Sequence, residues 1–211
     1  MISEFRFERT VHPNVPHVGL GYDNRVTSKF SVCSQGRPVS YYWRFCTGGG
    51  HIEQTSSRVV ETLQKAGYVL TGYAAEICEA EIEDRLELAE RGGLKPVEHV
   101  KRIQRSPEVD MFEIRWNHIM VMEQDRVSGE YQDVKALIRL YYFEQGEPWV
   151  VGLHLHEKVI VDGDEAETSR LQNVEIDQAR ECFEQCRESR WGLDELSPHV
   201  GEMITGLTRR V

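Results

Sequence analysis

Between Lys135 and Lys158 the chain reads K-A-L-I-R-L-Y-Y-F-E-Q-G-E-P-W-V-V-G-L-H-L-H-E-K. Two runs rich in aromatic and β-branched residues flank a turn near Gln145-Gly146, the pattern of a β-hairpin. Side chains alternate between the faces of a strand. In the second run Trp149, Val151, Leu153 and Leu155 therefore share one side, and Gly152, His154, His156 and Lys158 the other. In the first run Lys135, Leu137, Arg139, Tyr141 and Phe143 align. Where the polar sides coincide, Arg139, His154, His156 and Lys158 meet on one surface. Arg115, in a strand from Met111 to Trp116, is a further cation within an apolar setting. Cations and imidazoles with no metal-binding carboxylate among them suit an anionic ligand such as a phosphodiester. Histidine can move protons at such a site, because it titrates near neutrality.

Other chemistries fit less well. His154 and His156 project from one face, as two metal ligands would. The usual His-x-His template needs a Glu three to four residues on, where this chain has Ile160 and Val161. Cys182 and Cys186 stand one helical turn apart, but no further ligand lies nearby, so both read as small apolar residues. Gly48-Gly49-Gly50 lacks the Gly-Lys-Ser/Thr of a phosphate loop and reads as a linker. The carboxylates from Asp162 to Glu167 lack calcium-loop spacing and read as a solvated loop. No cofactor is expected.

These residues need a sheet to hold them. Phe5–Arg9, Val26–Cys33 and Val39–Cys46 read as short strands, with Pro13, Pro16, Gly19 and Gly21 between the first two. A helix is expected from about Ser57 to Ala66, stopped by Gly67. Tyr68 to Tyr73 is a short strand candidate. Ala74 to Arg91 carries Cys78, Ile82, Leu86 and Ala89 at helical spacing. Pro96 opens a shorter helix to about Ile103. Residues 117–133 are ambiguous: Met120 to Met122 could extend the preceding strand, and Asp125 to Asp133 is loop-like. A last strong helix is expected from Val174 to Ser189, with Asn173 as its cap. Pro198 interrupts the tail, and a short helix is expected over Val200 to Leu207. From Tyr68 onward the order is an α+β pattern: a small antiparallel sheet packed on one side by helices.

The 211 residues carry a formal net charge of −10. The charge is lopsided: residues 1–105 hold 14 basic and 13 acidic side chains, and residues 106–211 hold 11 and 22. Such an acidic half repels a nucleic-acid backbone at long range. An RNA-directed activity then requires a local basic patch or a partner that presents the RNA. No apolar run reaches the roughly 20 residues that span a bilayer. The opening M-I-S-E-F-R-F-E-R lacks a signal-peptide layout, and the five Cys do not form a disulfide framework. The expected setting is the reducing cytoplasm, with no membrane contact.

Four segments together resemble the RelE/HigB toxin superfamily, notably its phage-related branch. They are K-P-V-E-H-V-K-R-I-Q-R-S-P-E-V-D-M-F-E-I-R from Lys95 to Arg115, I-R-L-Y-Y-F from Ile138 to Phe143, V-V-G-L-H-L-H-E-K from Val150 to Lys158, and E-I-D-Q-A from Glu175 to Ala179. The resemblance covers about residues 68–191. It implies a RelE-like domain there, preceded by a β-rich extension (residues 1–67) and followed by a tail (residues 192–211). It also implies a toxin that cleaves mRNA at the ribosome without metal and is neutralised by an antitoxin. By position Arg139, Arg115 and Lys158 match the family's phosphate-binding cations, and His154 its strand histidine. His156 stands at a position that is apolar in the family. Residue 159, where the family has a second Lys, is Val. The expected partners are therefore an antitoxin protein, the ribosome and mRNA. The alternative expectation is a non-catalytic module that uses the same fold and an acidic surface to hold a basic protein. A metal-dependent enzyme built on His154 and His156 stands third.

Overall fold

The computed structural model describes residues 30–46, 49–105, 109–125, 128–144 and 148–193. The expected elements at 5–9 and 200–207, the first half of 26–33 and the turn at 145–146 lie outside them. The described chain is α+β, with five strands in one sheet. The strands are β1 (Ser40–Trp43), β2 (Val100–Arg102), β3 (Met111–Gln124), β4 (Tyr131–Glu144) and β5 (Trp149–Glu157). Their order across the sheet is β1-β5-β4-β3-β2. The three helices are α1 (His51–Lys65), α2 (Gly72–Glu90) and α3 (Glu165–Arg187). None of the described helices is long and apolar enough to cross a membrane.

The sheet is mixed, which corrects the expectation of an antiparallel one. β1 runs parallel to β5, pairing Ser40 with Trp149 through Trp43 with Gly152. The other three pairings are antiparallel. Helices also cover both faces rather than one. On one face α1 and α2 pack over Trp43, Trp116, Leu140, Tyr142 and Val150. On the other, Ile176, Ala179, Phe183 and Cys186 of α3 meet Met111, Phe143, Val151 and Leu153. β1 and α1 thus belong to the same core as the elements after residue 67.

Local differences from the sequence reading have local causes. α1 starts six residues before Ser57 because two of its polar residues are buried with partners. Thr55 bonds the Tyr41 hydroxyl at 2.9 Å, and Ser56 donates to Glu83 of α2 at 2.9 Å. α3 starts at Glu165, capped not by Asn173 but by Asp164, whose carboxylate accepts from the Glu167 N–H at 2.8 Å. Residues 32–34 form a 3₁₀ turn rather than the end of a strand. Residues 68–73 make only an isolated bridge, Val69 with Met122, and Tyr73 already belongs to α2. The helix expected from Pro96 is absent. Instead β2 pairs Val100 with Ile114 and Arg102 with Phe112, closing the outer edge of β3.

Gly92, just past α2, is required twice over. Its φ is +69°, and a Cβ there would stand 2.5 Å from the Arg37 carbonyl oxygen and 2.6 Å from the Arg37 nitrogen. Both obstacles are backbone. Gly92→Ala is therefore expected to cost at least about 2 kcal/mol, measured by urea unfolding. Gly129→Ala is the comparison, because it has a similar φ of +73° but open space around it. An equal loss at both sites would remove the steric part of this account.

Candidate functional site

The sequence places the polar residues on strands; a bulge in β5 decides which face its histidines reach. Between β4 and β5 the pairing runs Tyr142↔Gly152 and then Tyr141↔His154, so Leu153 is an extra residue on β5. Leu153 keeps the face that Val151 occupies. His154 and His156 then share it, and Leu155 turns to the opposite side. The expected partition of β5 into Trp149, Val151, Leu153 and Leu155 against the histidines therefore fails at Leu153. A second bulge lies in β3 between Trp116 and Ile119.

The register brings the predicted residues together. Arg115 pairs with Arg139, and Arg139 with His156, in one row across three strands. The neighbouring row is Glu113, Tyr141 and His154, with Lys101 of β2 opposite Glu113. Lys158 stands two residues after His156, just past the end of β5, and the Arg139 charge acts on it after burial. The patch adjoins the sheet area covered by α3.

The residues differ in how free they are. Arg139 is only 5 % exposed. Its Nη1 donates to the carbonyls of Ile138 (2.8 Å) and Trp116 (3.2 Å), and its Nε has no partner. Burial works against its charge, and Glu113 supports it. Arg115 is held by Nε and Nη2 bonds to the Glu113 carboxylate and donates from Nη1 to the Val97 carbonyl at 2.9 Å. Glu113 is 1 % exposed, so this is a buried ion pair whose disruption would strand a charge. Lys158 is half-buried. Burial, then Arg139, pushes its pKa down, and no described residue pairs with its ammonium.

The two histidines are not equivalent. His156 is buried. Its Nδ1 lies 2.8 Å from the Glu157 carbonyl, so it donates there, and its Nε2 accepts from the Tyr141 hydroxyl at 3.2 Å. Burial pushes its pKa down to about 4. It is neutral at pH 7, with both ring nitrogens engaged. His154 is partly exposed, and its Nε2 lies 2.6 Å from Oε2 of Glu175 on α3. A carboxylate that fixes an imidazole in this way leaves the other ring nitrogen to act on a ligand. The rings of Tyr141, His154 and His156 lie nearly parallel, with centroids 5.3–6.4 Å apart.

Glu113, Glu175, Tyr141 and Gln172 are parts of this site that residue type alone does not disclose. Glu175 stands one position before Ile176, on the flank of the stripe that α3 buries, and so at the margin of the sheet. Gln172, one turn earlier, donates to Glu113 at 3.4 Å. Among the described residues no group of three or more His, Cys, Asp or Glu side chains could hold a metal ion. None of the five cysteines is in a disulfide, and burial pushes the Cys33 thiol up to about 12. No protein-family model, curated protein or solved structure matches the chain.

Proposed function

We propose that this face of the sheet binds an RNA phosphodiester and cleaves it without metal, as a RelE/HigB-like toxin would. The observation that carries the reading is the convergence of Arg115, Arg139 and Lys158 in neighbouring positions beside the His154–Glu175 pair. Arg139 lies diagonal to His154 across the β4–β5 ladder, a Cβ separation of about 7 Å. A phosphate bridges such a gap. In this reading His154 takes the proton from the 2′-hydroxyl, and the 2′-oxygen attacks phosphorus. The P–O5′ bond breaks, and the 5′-oxygen takes up a proton from water. The products are a 2′,3′-cyclic phosphate and a 5′-hydroxyl. Lys158 and Nη2 of Arg139 offset the negative charge that builds on the phosphoryl oxygens. Arg115 and Glu113 act as positioning residues, since the buried pair holds the floor on which Arg139 lies. An antitoxin that covers this face, and a ribosome that presents the mRNA past the acidic surroundings, complete the reading.

The test uses the full chain with an end-labelled RNA oligonucleotide in EDTA, and with purified ribosomes loaded with mRNA in magnesium buffer. Cleavage is expected, with a cyclic phosphate at the new 3′ end, and a 2′-deoxy substitution at the scissile nucleotide should block it. Lys158→Ala is the clean variant, because its ammonium is not committed to the fold. It is expected to slow cleavage by about 10–100-fold with unchanged thermal unfolding. Absence of cleavage in both settings would sink the reading.

A second reading has its own observation. Residues 106–211 carry 22 acidic against 11 basic side chains, and much of the cationic row is buried. A non-catalytic module that holds a basic protein would have this surface. Capture of a basic partner by a chain that leaves RNA intact favours it.

A further inference from the structure

We propose that the outer edge of β5, from Leu153 to Glu157, is a docking site for an extended acidic segment of a partner protein. The edge adjoins the cationic face at His154, but the proposal does not depend on the nuclease reading.

β1 covers β5 only as far as Gly152, whereas β5 continues to Glu157. Among the described residues no strand pairs with the remaining five positions on the side away from β4. Their backbone direction follows from the ladder. The Lys158 N–H donates to the Leu137 carbonyl at 2.6 Å, and bonded and unbonded pairs alternate along antiparallel strands. With Ile138 opposite Glu157 and Leu140 opposite Leu155, both Leu155 and Glu157 turn their N–H and C=O groups away from β4. The Glu157 carbonyl is taken by His156, and the Leu153 carbonyl accepts from Nε of Arg44. The N–H and C=O of Leu155 and the N–H of Glu157 remain for a partner. Such an unpaired row is what an added strand binds.

The charge beside the edge selects the partner. Where β1 stops, a polar cavity of about 120 Å³ opens between the end of β1 and α1, with His154 and Leu155 of β5 on its wall. Arg44, Arg58 and Lys65 line it, against one carboxylate, Glu61. Arg58 is held over the Trp43 ring at 5.5 Å. The Glu61–Lys65 pair at 3.7 Å is exposed and cancels little of this charge. A peptide lying along the edge would place acidic side chains toward these cations. A nucleic-acid backbone carries the charge but lacks the alternating N–H and C=O groups that the edge requires, so a peptide fits both features.

The test uses the full chain and a capped peptide of about eight residues alternating Glu and Val. Fluorescence anisotropy is expected to show binding. The same peptide with Lys for Glu should not bind, and methylation of alternate peptide nitrogens should abolish binding. Arg58→Glu with Lys65→Glu, both on the exposed surface of α1, should weaken it by about tenfold or more while RNA cleavage is unchanged. Lys158→Ala should leave peptide binding intact, which separates this proposal from the nuclease reading. Amide exchange at Leu155 and Glu157 should be fast in the free chain and slow in the complex. Equal binding of the Lys peptide, indifference to methylation, or slow exchange of those two amides in the free chain would each overturn the proposal.

Discussion

Replacing His154 with alanine is expected to slow RNA cleavage by about 10²–10⁴-fold, the usual worth of a positioned acid–base group, with little change in stability. The expectation rests on the unequal surroundings of the two strand histidines. His156 donates to a carbonyl, accepts from Tyr141 and is neutral at pH 7. It has no ring nitrogen left for a substrate. His154 has a single partner, Glu175 at 2.6 Å, and a face open to solvent. His156→Ala should therefore act mainly on the fold, because it removes the acceptor of a buried tyrosine hydroxyl. Glu175→Gln should slow cleavage by about tenfold or more, since the amide keeps the reach but not the charge that supports a protonated ring. Single-turnover rates with a labelled oligonucleotide, alongside thermal melts, separate these effects. If His154→Ala cleaves as fast as wild type while Lys158→Ala does not, the acid–base role belongs elsewhere.

The same comparison marks how far the sequence carries. The stripe Cys78, Ile82, Leu86 and Ala89 announces α2, and Ile176, Ala179, Phe183 and Cys186 announce the buried face of α3; each is a local period. The alternation of β4 likewise puts Arg139 and Tyr141 on one side. What is not legible is set at a distance. A bulge is one unpaired residue, and nothing in V-V-G-L-H-L-H distinguishes Leu153 as the extra one. The bulge alone brings both histidines onto the face of Val151 and Leu153. The parallel docking of β1 depends on Gly152: a Cβ there would stand 2.6 Å from the Tyr41 hydroxyl and 2.7 Å from the Trp43 ring. β2 forms where Pro96 suggests a helix, because the edge of β3 offers pairing that an isolated segment lacks. Burial is the other hidden quantity. Arg115 and Arg139 read as free cations, whereas one is locked to Glu113 and the other lies under carbonyls.

A larger effect on stability is expected from a residue that the site does not use. Glu144, at the end of β4, is 2 % exposed. Its carboxylate accepts from Ser31 at 3.0 Å and from the Val32 N–H at 3.1 Å, while the Tyr142 hydroxyl bonds Ser31 from the other side. This network ties residues 31 and 32 to the sheet. Burial raises the Glu144 pKa to about 8, against the pull of those two donors. The unfolded chain loses this proton near 4.5 and the fold near 8. Below 4.5 both states hold it. Between the two values only the fold does, so stability falls as pH rises across that window, by about 4–5 kcal/mol in full. Glu144→Gln carries no such proton. The variant should match wild type near pH 4.5 and exceed it by several kcal/mol at pH 8.5. His156 titrates in the opposite sense, gaining stability between about 4 and its ordinary value, but it is common to both proteins and cancels in the difference. Urea unfolding of the pair at the two pH values is the measurement. A variant less stable than wild type at pH 8.5 would mean that Glu144 is ionised in the fold, and that the Ser31 and Val32 donors outweigh its desolvation.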